Sequence, residues 1–154
     1  MSVNTILPPI QTFDFVSEEN GSLLLLNKEL RIVKIEWHGR VDAHTASEIL
    51  NKGADLIEKG ICTRLLLNRK ELDEFTKEAR QWIKDDLLKK RAKSLVHKVE
   101  KVATVKSVTK MGNLFATILS TATRIVFPGL KMNNFDTEEE AISWMVEPQR
   151  NRVA

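Results

Sequence analysis

One cysteine, Cys62, stands in 154 residues. No disulfide can form within the chain, and the sequence fits a reducing compartment. Long apolar runs are missing too. The longest uncharged stretch, Met111 to Thr123, has 13 residues rich in Thr and Ser, short of the roughly 20 apolar residues that span a bilayer. The first eleven residues, Met1 to Gln11, are uncharged and broken by Pro8-Pro9, without the basic-then-apolar order of a secretion leader. The expectation is a soluble, cytoplasmic protein.

Catalytic groupings are scarce as well. Gly112-Asn113 is a lone glycine ahead of an apolar stretch, with none of the spacing of a phosphate-cradling loop. His38, His44 and His97 have no Cys, His or close carboxylate pair at metal-ligand spacing, so they read as exposed surface histidines. Cys62 opens an apolar run, where a free thiol behaves as a small hydrophobe. Asp85 and Asp86 are adjacent, about 100° apart on a helix, and cannot form the facing carboxylate pair of a glycosidase. The sequence therefore points to no catalytic residue, no metal site and no cofactor, and to a protein that is not an enzyme.

The chain does have the means to fold. Its length suffices for one well-packed core, and 42% hydrophobic with 29% charged residues is an ordinary globular balance. A net charge of +3 hides an asymmetry: residues 61–130 carry 15 Lys/Arg against 7 Asp/Glu. This basic middle, centred on Lys84 through Lys110, could attract an acidic partner, but no aromatic residue interleaves that run to stack bases, which argues against nucleic acid. Lys89, Lys90, Arg91 and Lys93 instead suit the end of a helix, where the dipole favours cations.

The order of apolar patterns is that of an α/β fold. Strands are predicted at Phe13–Phe15, Leu23–Leu26 and Ile32–Trp37, the last ending at Gly39, with short connections that make an antiparallel meander. A helix follows, capped by either Asp42 or Thr45, with Ala46, Ile49, Leu50, Ala54 and Ile57 on one face and Gly60 at its end. Ile61–Leu67 reads as a strand buried on both faces. Asp73 is the expected cap of a helix bearing Phe75, Ala79, Trp82, Ile83 and Leu87, then Val99–Val105 is a strand. Met111 to Ile125 is helical in period, and Phe127-Pro128-Gly129 breaks it before a short strand at Leu130–Phe135. The last helix has a capping box, Thr137 with Glu140, three glutamates facing the positive end of its dipole, and a stripe of Ala141, Trp144 and Met145. The fold class is α/β: a mixed β-sheet with an N-terminal antiparallel meander and right-handed crossover helices.

These pieces resemble the STAS-like fold of sulfate transporters and anti-sigma-factor antagonists, and in detail the SpoIIAA-like proteins of bacteria. The resemblance is carried by Ile35-Glu36-Trp37-His38-Gly39-Arg40-Val41, by Gly60 to Asn68, by Lys101 to Val105 and by the ending Phe135 to Met145. It implies a single STAS-like domain over residues 10–146, with residues 1–9 and 147–154 as flexible tails. It also implies a non-enzymatic regulatory module that binds a protein partner. In the antagonists a serine at the start of the helix after the central strand is phosphorylated, which adds about −1.5 to −2 charge there. Here residues 68–75 contain no serine, and the first hydroxyl, Thr76, falls inside the expected helix.

The uncharged helix offers a second surface, for lack of charge marks interface cores. Leu114, Phe115, Ile118 and Ala122 are expected to pack on the sheet, leaving Thr117, Leu119, Ser120 and Thr121 outward. Two uses stay open: self-association into a homodimer, or the wall of an apolar pocket. STAS-like domains resemble lipid-binding CRAL-TRIO domains in topology, which implies a small apolar or lipid ligand, with Lys110 near its anionic head. The candidate partner or ligand surface is thus Asn68, Arg69 and Asp73 after the central strand, with Lys110, Asn113, Thr117, Ser120 and Thr121 on the helix.

Overall fold

The computed structural model describes residues 12–111, 113, 120, 121, 123, 124 and 127–148. β1 (Asp14–Glu19) and β2 (Ser22–Asn27) are joined by Asn20-Gly21, whose φ angles of 49° and 88° suit the two-residue hairpin turn that Asn-Gly favours. β3 (Ile32–Val41) completes the antiparallel meander. β4 (Arg64–Phe75), β5 (Lys101–Val105) and β6 (Met132–Phe135) then add in parallel. The sheet runs β1-β2-β3-β4-β5-β6.

Helical segments fill the crossovers. α1 (Ala43–Glu58) links β3 to β4. Between β4 and β5 lie α2 (Lys77–Trp82), a wider π-helical stretch (Ile83–Arg91) and α3 (Ala92–Leu95). The wider winding is visible at its end, where the Ala92 N–H bonds the Leu87 carbonyl five residues back. Lys110, Met111, Asn113, Ser120, Thr121, Thr123 and Arg124 are helical, in line with the expected helix there, and α4 (Glu138–Val146) follows β6. Leu114, Phe115, Ile118, Leu119 and Ala122 fall outside the described residues, as do residues 1–9 and 149–154 of the expected tails and residues 10 and 11 of the expected domain.

Each face of the sheet has its own core. On one, Leu24, Val33, Ile35 and Trp37 pack with Ala46, Ile49 and Ile57 of α1 and Ala79 beyond it. On the other, Ile32, Leu66, Ala103 and Val105 meet Ala141, Ile142 and Met145 of α4. β4 shows the alternation that creates both faces. Leu65 and Leu67 pack with the α1 side, while Leu66, fully buried, belongs to the α4 side.

Four expectations need correction. β3 does not end at Gly39, which adopts a φ of 66° within the strand. β4 continues eight residues past Leu67, because its second half pairs with the extension of β3, Gly39 with Leu72 and Val41 with Phe75. Asp73 is accordingly a strand residue, and the cap of α2 is Thr76, whose Oγ1 accepts the Ala79 N–H at 3.1 Å. At α4 the Thr137 hydroxyl does accept the Glu140 N–H at 3.2 Å, but the Glu140 carboxylate takes the Thr137 hydroxyl rather than the cap's N–H. Of the two caps open for α1, Asp42 is used, accepting from the Thr45 N–H at 2.8 Å. That bond holds its carboxyl below the ordinary carboxylate range.

Candidate functional site

The α1 side of the sheet does not close completely. A cavity of about 190 Å³ lies between β3–β6 and the helical layer, walled by Ile35, Trp37, Leu65, Leu67 and Val102 from the sheet. Ala54 and Ile57 of α1, Ile83 and Leu87 of the π-helical stretch, and Leu95 complete the apolar lining. Polar side chains on the wall include Arg69, Thr104, Ser120 and Thr123. Towards the surface the cavity shares Val96, Val99, Phe127 and Leu130 with an outer hollow of about 520 Å³, rimmed by Lys93, His97, Pro128 and Gly129.

Strand periodicity delivers Arg69 to this place. Side chains two apart share a face, so Leu65, Leu67 and Arg69 all line the cavity, separated along β4 by roughly 13 Å from first to last. Arg69 is only 5% exposed. Its Nη1 donates to Asn113 Oδ1 at 3.1 Å and its Nη2 to Thr104 Oγ1 at 3.4 Å. Asn113 is itself fixed, its Oδ1 accepting the Ser107 N–H at 2.9 Å and its Nδ2 donating to the Ser107 carbonyl at 2.8 Å. Ser107 in turn donates its hydroxyl to the Leu72 carbonyl at 2.7 Å, and Thr104 donates to Asn134 Oδ1. The guanidinium is thus oriented from β5, β6 and the segment after β5. Burial lowers its pKa from the ordinary value, as desolvation penalises any buried cation.

The eight sequence candidates therefore separate. Arg69, Asn113 and Ser120 belong to the cavity or hold what lines it. Asn68 points to the opposite face, donating to Glu138 Oε1 at 2.8 Å. Asp73 and Lys110 are exposed near the same end of the sheet, Asp73 lending only its carbonyl to the Thr109 hydroxyl. Thr121 is exposed, and Thr117 lies outside the described residues. Ser120, expected outward, is 9% exposed and faces the cavity. Sequence reading missed Thr104, whose strand offered no periodic hint of which residue meets Arg69.

Three other features resolve. Cys62 is fully buried, and desolvation pushes its thiol up to about 11, so it is inert rather than nucleophilic at neutral pH. The basic run is largely paired: Lys89 with Asp85, Lys90 with Asp86, and Arg91 with Asp55 and Glu58 of α1. The fold also gathers Glu19, His44 and Glu48, with one potential ligand atom of each within 4.8 Å of the others. No spacing in the sequence could show this, because Glu19 arrives from the end of β1. His44 is exposed and its Nε2 sits 3.6 Å from Glu19 Oε1, a contact between surface side chains that needs no metal.

The SpoIIAA-like family matches residues 32–146, from the first residue of β3 to the last of α4. The chain belongs to the SpoIIAA-like family. No curated protein sequence matches it. Among solved structures it is similar to the anti-sigma factor antagonist SpoIIAA in its unphosphorylated form, at 19% identity and a TM-score of 0.50 over 86% of this chain and 96% of that one. It is also similar to the Bacillus cell fate determinant SpoIIAA in its phosphorylated form, at 20% identity and a TM-score of 0.49, covering 86% and 98% of the two chains. A third is an uncharacterised protein of SpoIIAA-like fold from Shewanella loihica, at 17% identity and a TM-score of 0.48, covering 87% and 92%. In this SpoIIAA-like chain the residue that opens the helix after β4 is Thr76. It is 8% exposed, with its hydroxyl engaged as the cap of α2. Among the described residues no helix is long and apolar enough to cross a membrane.

Proposed function

We propose that this protein is a non-enzymatic regulatory module that works by binding another protein, in the manner of an anti-sigma-factor antagonist but without a serine switch at α2. The observation that carries this reading is the SpoIIAA-like match over residues 32–146. It is supported by the surface beside the ends of β4 and β5. There Val108 and Met111 are 77% and 53% exposed next to Lys110, with Asp73 exposed nearby, an apolar patch with charged edges of the kind partners cover. Affinity capture from the native cell with the wild-type chain and a Val108→Glu/Met111→Glu variant tests it. The expected result is one protein retained by the first and lost by the second. Equal recovery of the same proteins by both counts against the surface, and recovery of none counts against the module. Self-association through the uncharged stretch Met111 to Thr123 is tested by light scattering, where a strict monomer at high micromolar concentration removes it.

A second reading is favoured by the cavity: a small apolar ligand held between the helical layer and the sheet, as the CRAL-TRIO likeness suggests. Ligand sites are concave, chiefly apolar and furnished with a few placed polar groups, and the walls around Arg69 have this composition. Native mass spectrometry of the protein purified from its own cell is the test. A retained mass removed by denaturation supports the reading, and a bare chain opposes it.

A further inference from the structure

We propose that the cavity and the outer hollow together hold an anion carried on a single unbranched hydrocarbon chain, with the chain in the cavity and the acidic head at the mouth beside Lys93 and His97. This rests on the second reading above, that the cavity holds a ligand, and adds the charge of its head and where that head sits. Three observations converge on it.

The first is continuity. The cavity and the hollow share Val96, Val99, Phe127 and Leu130, so a chain entering from outside passes an apolar mouth onto an apolar wall. Among the described residues the cavity wall carries one ionisable side chain, Arg69, and its guanidinium already donates to Asn113 and Thr104. A hydrocarbon chain gains with each methylene it withdraws from water, and the hollow of about 520 Å³ beyond the mouth leaves its length open.

The second is the sign of the charge at the mouth. Every described residue that lines the hollow comes from residues 87–99 or 101–135, and neither stretch contains an aspartate or a glutamate. Glu100, which separates them, is paired with Arg64 at 3.2 Å. Lys93, Val96 and His97 are three and four apart, on one helical face, and this sets both basic side chains beside the mouth residue Val96. Lys89, Lys90 and Arg91 have carboxylate partners, whereas Lys93 has none among the described residues. A mouth of this kind attracts an anion and repels a cation.

The third is what burial permits. An ionised head is too costly to bury without a partner. Lys93 and His97 are exposed, so a head beside them keeps water on one side while its chain is dry. Lys110, expected from the sequence to meet such a head, is exposed and lines neither space.

The test is calorimetric titration of the full chain, first stripped of any retained molecule, with octanoate, decanoate and laurate below their micelle-forming concentrations. Dodecyltrimethylammonium, with a chain like that of laurate and the opposite charge, is the comparison. Affinity is expected to rise roughly fourfold for each added methylene. Laurate is expected to bind about five- to tenfold more tightly than dodecyltrimethylammonium at low salt, with the gap narrowing as salt is raised. Lys93→Glu, an exposed change, is expected to reverse that preference and leave the urea midpoint close to wild type. The wild-type comparison of anion with cation stands whatever the stability of the variant. Equal binding of the two, or a preference untouched by Lys93→Glu, overturns the placement of the head and leaves a ligand-holding cavity. Affinity that does not grow with chain length overturns the seat of the chain. No binding by any of the four overturns the ligand reading together with this one.

Discussion

Thr76 and Cys62 show how much a single position settles. Thr76 opens the helix that follows β4, and its hydroxyl is occupied by the Ala79 N–H. Removing it leaves a helix-end donor without a partner. Thr76→Ala is expected to lower stability by about 1 kcal/mol, with Thr76→Ser close to wild type, as read from urea midpoints. An alanine variant as stable as wild type would show that the cap bond contributes nothing. Cys62 works through its proton. Its thiol is raised from 9.0 to about 11 by desolvation, so the folded state holds the proton more tightly than the unfolded one. Its contribution is full below about pH 9 and is lost as pH rises through about 11. The stability gap between wild type and Cys62→Ala is therefore expected to shrink between pH 8 and pH 11, and a constant gap would contradict the assignment.

At the scale of elements, α4 is fastened to the sheet by charge as well as by apolar contact. Lys34, 6% exposed on β3, donates to Glu138 Oε2 at 3.0 Å, pairs with Glu36 at 2.9 Å and lies 4.2 Å from the Phe13 ring centroid. Asn68 takes the other Glu138 oxygen. At the far end Lys101 donates to the Trp144 and Glu147 carbonyls at 2.7 and 3.2 Å, meeting the negative pole of the helix. Glu138→Leu leaves a buried ammonium with one carboxylate fewer and is expected to cost about 3 kcal/mol. Lys34→Met with Glu138→Leu together is expected to recover much of that loss. A double mutant no more stable than Glu138→Leu alone would mean that the pair is not coupled. The sequence showed the three glutamates of α4 as dipole and cap residues but could not show this partner, 104 residues away. The same blindness explains β4. Asn68 to Glu74 is mostly polar, so local pattern favours a loop and a capped helix, yet pairing with β3 through two register shifts holds it extended. What is local was readable: the short connections of the meander, the Thr137 cap, the stripe of α1. What depends on distant strands was not.

The whole molecule is uneven across its sheet. The α4 side is closed, with Leu66, Ala103, Ala141 and Met145 fully buried, whereas the α1 side keeps a cavity of about 190 Å³. Of the residues lining the candidate cavity, Arg69 and Ser120 were named from the sequence, Ser120 for the outward face rather than for the inward one it takes. Their convergence was not legible, because it depends on which face of β4 turns to the helices. A ligand space and loose packing differ in what filling the cavity does. Ala54→Leu, from the middle of α1 where leucine is a good helix former, adds a side chain to the cavity wall. Relative to the empty protein it is expected to raise stability by about 1–2 kcal/mol and to abolish any mass retained in native mass spectrometry. Thermal unfolding and native mass spectrometry of both proteins check this. A stabilised variant that still retains the mass places the ligand elsewhere. A destabilised variant shows that the surrounding helices already fill the space, and the ligand reading falls with it.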